Sequence, residues 1–536
     1  MTSVVAVVVT AALLPGSGVG SATAAVRGAQ AIPAALAAAI HARLGAWTAR
    51  SSSAASTVGD PYLGLSVALS ANGTTALVGA PGVGGNRGAA YIFHASGAAS
   101  WSSSGIPVAT LTNKHGSAQG LFGYAVALSA DGTTAFVGAP LNGTGLLRDG
   151  AIYAFHASAE NAWASSATPT ATLTASHGTS VGRALALSTD GTTLVAGAPF
   201  YPTKTLAGGA YVFHVSSEGA WTSTSTPTAI LSNSNQSKAD LFAGSAVVVS
   251  GDGTTALVGD SNDSGGGRAY LFHVSAESAW TTNSTPTAIL SDAGSGAHDL
   301  LGYGLALSGD GTVALLGALG RSSNTGAVDV FRSSGEASWV STSTPTATLT
   351  KGGSLAGDRV GQNVALSTDG TTAFVLAPGV HSNRGAAFIY HVSGEGAWVS
   401  NDAPTATLIV QGAHQKDSLG PGALASDGAT ALFGAPGARS NTGAAYIYHS
   451  TGESSWSVSL TPNATLTNDA LAACVVPKVK GLKLSAAKLA LAAGRCKLGK
   501  VTKVQSAHGK GRVLSQAKKP GTRLAIGAKV AVRVGK

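Results

Sequence analysis

One order of signals runs through this chain seven times. An apolar segment leads into an Asn-Gly or Asp-Gly pair, and a second apolar segment commonly closes on Gly-Ala-Pro. A glycine-rich stretch, an aromatic segment, a tryptophan and a Pro-x-Ala-Thr-Leu-like segment follow. The pairs fall at Asn72-Gly73, Asp131-Gly132, Asp190-Gly191, Asp252-Gly253, Asp310-Gly311, Asp369-Gly370 and Asp427-Gly428, 58 to 62 residues apart. Seven of the eight tryptophans keep step: Trp101, Trp163, Trp221, Trp280, Trp339, Trp398 and Trp456. A unit of this size cannot bury its own apolar faces, so its core must form by packing against its neighbours.

Each unit reads as four strands. In the second, Tyr124–Ser129 precedes Asp131-Gly132, residues that tolerate the positive φ of a two-residue hairpin turn. Thr133–Ala139 is almost wholly apolar, the pattern of a strand buried on both faces. Pro140 ends it, because proline cannot donate to a ladder. Ala151–His156 and, after Pro169, Ala171–Thr174 complete the unit. Seven four-stranded antiparallel sheets covering one another fit an all-β, seven-bladed propeller. A linear solenoid is the competing architecture, but such a meander stacks poorly without ring closure. Because the seventh unit carries its own Ala464-Thr465-Leu466-Thr467 strand, the ring is expected to close from the C-terminal side, with Trp47 and its neighbours outside it or only padding it. Charged residues make up only 11% of the chain and mean hydropathy is +0.23, which excludes disorder for most of it. No apolar stretch reaches the roughly 18–20 residues of a membrane-spanning helix.

The units resemble FG-GAP repeats, the propeller repeats of integrin α-subunits and many bacterial surface proteins. Phe122-Gly123 carries the first half in full; Leu63-Gly64, Val181-Gly182, Leu301-Gly302, Val360-Gly361 and Leu419-Gly420 vary it. Gly-Ala-Pro stands at residues 79–81, 138–140, 197–199 and 434–436, and is altered to Leu376-Ala377-Pro378, Gly259-Asp260 and Gly317-Ala318-Leu319 elsewhere. The resemblance covers about residues 63–467 and implies a propeller used for extracellular binding or adhesion. Calcium-binding members carry Asp-x-Asp/Asn-x-Asp-Gly-x-x-Asp between the first two strands, because Ca²⁺ takes six to eight oxygen ligands. Here that loop is cut to Ser129–Ala135, with Ala135 in the last ligand position, so calcium is not expected at these turns. A single oxygen-rich stretch after a second strand, with Asp260, Asn262 and Ser264 as candidate calcium ligands, is the one metal candidate; the alternative is a solvated loop.

Other repeated residues read as structural. His94, His156, His214, His273, His391 and His449 share one repeat position, filled by Arg332 in the fifth unit, and a ring keeps them apart. The tryptophans could offer sugar-stacking platforms, but packing between blades is the favoured account. There is no Gly-x-Ser-x-Gly elbow with a plausible histidine and acid, no Cys/His metal spacing and no phosphate-binding loop. The expectation is a non-enzymatic binding protein, whose propeller carries a glycan or protein ligand. The competing functions are a polysaccharide hydrolase or lyase, which would gather carboxylates from different blades, and a structural surface-layer component.

The ends differ from the body. Val4–Leu14 is an apolar run broken by Pro15-Gly16, and Ala22-Thr23-Ala24 offers a cleavage site, so residues 1–25 read as an export signal, although Met1-Thr2-Ser3 lacks the usual basic residue. Residues 26–62 form an N-terminal linker segment, within which 31–47 are an Ala-rich helix or part of the linker. From Cys474 to Lys536 there are 16 Lys or Arg and no Asp or Glu; the rest of the chain carries 17 basic and 24 acidic residues, a net of −7. After a linker at 468–473, this basic segment reads as a separate α+β module, with a helix Ser485–Ala493 capped by Ser485 and strands at Leu498–Val504, Arg512–Gln516 and Lys529–Val534. Cys474 and Cys496, the only cysteines, are expected to be joined, since an exported chain meets an oxidising compartment and a small core benefits from a staple.

Val-Pro-x-Val-x-Gly at 476–481, Leu-Gly-Lys-Val at 498–501, Val-Leu-Ser-Gln at 513–516 and Pro-Gly-Thr at 520–522 resemble a PASTA domain. That resemblance implies binding to cell-wall peptidoglycan and a secreted or wall-associated location. An anionic wall polymer fits the charge, with Lys518 and Lys519 beside the Pro520-Gly521 turn as the preferred contacts. Nucleic acid is not expected as a partner, because the module has no aromatic side chain to stack on bases.

Overall fold

The computed structural model describes residues 60–536 apart from 118, 144–148, 176–179, 200–207, 235–243, 262–264, 416, 418, 472–473, 507–508 and 525–527. The export signal and most of the N-terminal linker therefore lie outside the described residues, as does Trp47.

Residues 66–466 form seven four-stranded antiparallel sheets, each with its strands in sequence order. The second blade comprises Ala125–Leu128, Thr134–Ala139, Ala151–His156 and Ala171–Leu173. Its second strand is buried at all six positions, as the continuous apolar run requires. The first strands of successive blades touch one another all the way round, and that of the seventh (Gly422–Leu424) touches that of the first (Ser66–Leu69), so the first strands line the axis. A linear array would leave those two apart. The seventh blade ends in its own fourth strand, Ala464–Leu466.

The core lies between blades. One apolar cluster joins Leu432, Ile447 and Leu466 of blade seven to Val67, Tyr91 and Phe93 of blade one, closing the ring with the same packing used elsewhere. Each such fully buried large side chain contributes about 1.5–3 kcal/mol relative to exposure.

The repeated glycines have a steric cause. A Cβ on Gly79 of the first blade would stand 2.2 Å from the Gly123 carbonyl oxygen of the second, and one on Gly434 would stand 1.9 Å from the Gly64 oxygen across the closing seam. The Gly of each Gly-Ala-Pro thus abuts the Phe-Gly glycine of the next blade, and neither can carry a side chain. At the sixth blade Leu376 replaces this glycine, and Gly422 of the seventh gives it room: a Cβ there would meet Phe374 and Leu376.

The Asp-Gly turn differs from expectation. Gly132 alone has positive φ (72°), and Asp131 does not. The Gly132 amide donates to the Ser129 carbonyl oxygen, so Ser129–Gly132 is a four-residue turn with glycine in last place, and the Ser129 amide donates to the Thr134 carbonyl oxygen. The aspartate serves by its side chain instead: Asp131 Oδ1 accepts from Ser129 Oγ (2.6 Å) and the Thr133 amide (2.9 Å).

The basic module holds a three-stranded sheet. Lys529–Gly535 lies centrally, parallel to Lys497–Val504 and antiparallel to Val513–Gln516. Its helix runs Leu484–Ala493 with Lys483 at the cap position and no side-chain cap, so Ser485 lies inside the first turn and does not cap it. Ala487 and Leu491 of the helix pack with Val530, Val532 and Val534. Cys474 and Cys496 are joined in a disulfide, with Cα atoms 4.8 Å apart.

Candidate functional site

The repeated polar residues meet at the Asp-Gly loops. The indole nitrogen of every repeat tryptophan donates to the carbonyl of its own blade's turn glycine, from Trp101 to Gly73 (2.7 Å) through Trp456 to Gly428 (2.8 Å). All seven rings are buried, at 3–7% exposure, so they pack the blades and present no platform to a sugar. The histidines, half-buried except for the exposed His156, pair across the ladder: Thr75 Oγ1 lies 2.9 Å from His94 Nδ1, and the same pair recurs in five other blades. In the fifth blade Val313 opposes Arg332, replacing both members together.

One partner was missed from sequence. Three residues before six of the tryptophans stands a glutamate, and it reaches back to the preceding blade. Thr192 Oγ1 lies 2.7 Å from Glu277 Oε2 and 2.9 Å from Asp190 Oδ2; Thr312 Oγ1 lies 3.0 Å from both Glu395 Oε2 and Asp310 Oδ1. Adjacent blades thereby bring an aspartate and a glutamate to one hydroxyl. The glutamates' fixed offset from Trp was the available signal. Burial opposes ionisation of Asp190, but hydrogen bonds from Ser188 and from the Thr192 amide and hydroxyl outweigh it and hold its carboxyl below the usual range. Asp369 is lowered in the same way. For Glu395 burial prevails and, with the nearby Asp310 charge, pushes its carboxyl up.

Of the metal candidates, Asn262 and Ser264 lie outside the described residues. Asp260 ends the second strand of blade four, fully buried, in register with Arg268 and accepting from the Tyr270 hydroxyl at 3.3 Å. It is therefore not part of a solvated loop. Among the described residues no three His, Cys, Asp or Glu side chains gather as a metal cluster would need. A second buried acid, Asp329 of the fifth blade, is held by the Arg321 guanidinium at 2.8 and 2.7 Å, with Asp292 on the same guanidinium.

Lys518 and Lys519 are exposed, on a turn fixed from both sides. Gln516 Nε2 donates to the Lys518 carbonyl (2.9 Å) and Thr522 Oγ1 to that of Lys519 (2.7 Å). The module is tied to the ring through Arg495, beside the disulfide. Its guanidinium donates to Thr442 Oγ1 (2.9 Å) and to the Leu471 carbonyl, and lies 3.7 Å from Asp60 Oδ1. Burial lowers the Arg495 pKa, against the opposing pull of Asp60.

Comparison with known families matches the FG-GAP repeat model to residues 107–155 and the PASTA domain model to residues 475–536. The first match runs from the fourth strand of blade one through the third strand of blade two, and so spans one seam between blades. The comparison with curated proteins finds no match. A solved structure described as "Structure of Dos1 propeller" superposes with a TM-score of 0.43 at 12% identity, over 73% of this chain and 81% of that one. The chain thus carries an FG-GAP repeat within a seven-bladed propeller and ends in a PASTA domain.

Proposed function

We propose that this is an exported, non-enzymatic protein of the bacterial envelope, with the PASTA domain as its wall-directed part and the propeller as a platform for a glycan or protein ligand. A propeller joined to a PASTA domain suggests a cell-wall-associated surface protein. The observation that carries the wall-directed reading is the module's charge: 16 cationic side chains and no acidic one within 63 residues. Such a surface recruits a polyanion, and the disulfide agrees with an oxidising compartment. Full-length protein should sediment with purified bacterial walls at low salt and be released as salt screens exposed charge. Failure to sediment at low salt would overturn the reading.

The hydrolase or lyase alternative asks for carboxylates from different blades, and Asp190 with Glu277 is such a pair. The pair sits on a Thr hydroxyl, and similar Asp and Glu encounters recur at other blade junctions, which favours a staple over a single reaction centre. If E277Q abolished release of reducing ends from a wall polysaccharide, the enzyme reading would replace ours.

A further inference from the structure

The outer face of the PASTA sheet is a built cationic surface, separate from the Lys518-Lys519 turn. Along Lys529–Gly535 the residues Val530, Val532 and Val534 are buried in the core shared with the helix, so Lys529, Ala531 and Arg533 project from the opposite side. Lys497 is the register partner of Lys529 on the parallel neighbour, which places two ammonium groups side by side on one face. Arg533 is aligned with Thr502 on one side and Ser515 on the other. Lys500 lies in the bulge between Leu498 and Val501. All these polar side chains are exposed. The middle of the face is flat: Ala531 is small, and a Cβ on its neighbour Gly499 would stand 3.0 Å from the Ala531 amide nitrogen.

Like charges on register partners repel, and a sheet keeps them only at a cost unless an anion lies across them. No carboxylate in the module can neutralise them, and none of Lys497, Lys500, Lys529 or Arg533 makes an ion pair among the described residues. Four cations and two hydroxyl donors thus surround a flat, side-chain-poor centre. The module has no Phe, Tyr or Trp to stack on a sugar ring or a base. The chemistry therefore reads charge along a flexible chain and not ring faces.

We infer that this sheet face binds a phosphodiester-linked polyol, the alditol-phosphate type of wall polymer, through Lys497, Lys500, Lys529 and Arg533 with Thr502 and Ser515 as hydroxyl donors. The inference rests on the wall-directed reading above and adds the polymer class and the site. The test uses full-length protein titrated with poly(glycerol phosphate), and two variants that remove the same number of charges. K497Q/K500Q/K529Q/R533Q strips the sheet face; K478Q/K480Q/K483Q/K510Q strips loops away from both that face and the Lys518-Lys519 turn. Far-UV circular dichroism and an intact disulfide confirm folding of both.

The sheet variant should lose at least about tenfold in affinity and the loop variant less than about threefold. For four contacts on a flexible chain, the wild-type slope of log K against log salt should be on the order of −3. Equal losses in the two variants would mean that binding follows net charge, and the sheet site would fall while wall association stands. Wild-type protein that sediments with walls but ignores poly(glycerol phosphate) would overturn the polymer class alone. Protein that binds neither would overturn both readings. Equal affinity for duplex DNA would show a surface that does not select this polymer, and would also overturn the inference.

Discussion

The Thr371 hydroxyl of the sixth blade lies 3.0 Å from Glu453 Oε2 of the seventh, and at the next junction, where the ring closes, both members of that pair are alanine. Ala429 stands in the threonine position and Ala98 in the glutamate position. Neither partner is left alone there, and a hydroxyl at the buried Ala429 position without its acceptor would be costlier than neither. Without that pair the closing seam is held by apolar packing, by backbone bonds such as Leu63 N to the Thr442 carbonyl (3.2 Å) and by side-chain bonds such as the Thr465 amide to Ser103 Oγ (3.0 Å).

Restoring the pair should strengthen the seam. A98E/A429T is expected to gain about 0.5–1.5 kcal/mol over wild type, with each single substitution neutral or unfavourable. A double-mutant cycle in denaturant measures the coupling, and additive singles would show that the seam geometry cannot accept the pair.

The carboxylate pairs predict opposite pH responses. A hydroxyl has one proton, so Thr312 cannot donate to both Asp310 and Glu395 at once. Glu395 has a raised pKa in the fold, chiefly through burial. A raised carboxylate contributes stability below its unfolded pKa and loses it as pH rises through the folded value. Asp369 is depressed, so its contribution is present above its unfolded pKa and lost on acidification. E395Q should therefore gain stability relative to wild type as pH rises from about 4, whereas D369N should lose it as pH rises through the range below about 4. Parallel curves for the two variants would contradict this assignment.

The tryptophans should matter for folding and not for ligands. W398F keeps most of the packing but loses the bond to the Gly370 carbonyl, for an expected cost of about 1 kcal/mol. W398A should cost about 3–5 kcal/mol. Loss of a glycan ligand by W398F without loss of stability would reverse the reading.

The Arg495 contacts predict a mechanical link between module and ring. Replacing Arg495 with alanine should speed proteolysis in the 468–473 linker several-fold while leaving the propeller core resistant. Removing the disulfide with C474S/C496S should destabilise the module by roughly 3 kcal/mol, from the loop-closure entropy of its separation of 22 residues. Unchanged cleavage in R495A would mean that the linker is protected by other contacts.

The repeat was fully legible in the sequence, because a propeller blade is a local structure: turn, strand period and proline stops act within one unit. Seven such units and their regular spacing favoured a ring over a linear solenoid, and the two cysteines pointed to a staple; contact between the first strands of blades seven and one, and the bond between Cys474 and Cys496, decided both. What joins one blade to the next was not legible. The glycine contact of Gly79 with Gly123 and the reach of Glu277 to Thr192 connect residues 44 and 85 positions apart, and no local rule relates them. The buried state of the tryptophans was likewise decided by neighbouring blades, since an indole reads the same in sequence whether it packs or protrudes. In the basic module the sequence determined the amount of charge. Only the strand order, with Lys529–Gly535 between two partners, decided that Lys497 and Lys529 stand side by side, because a sheet sorts residues by register and face, not by their order along the chain.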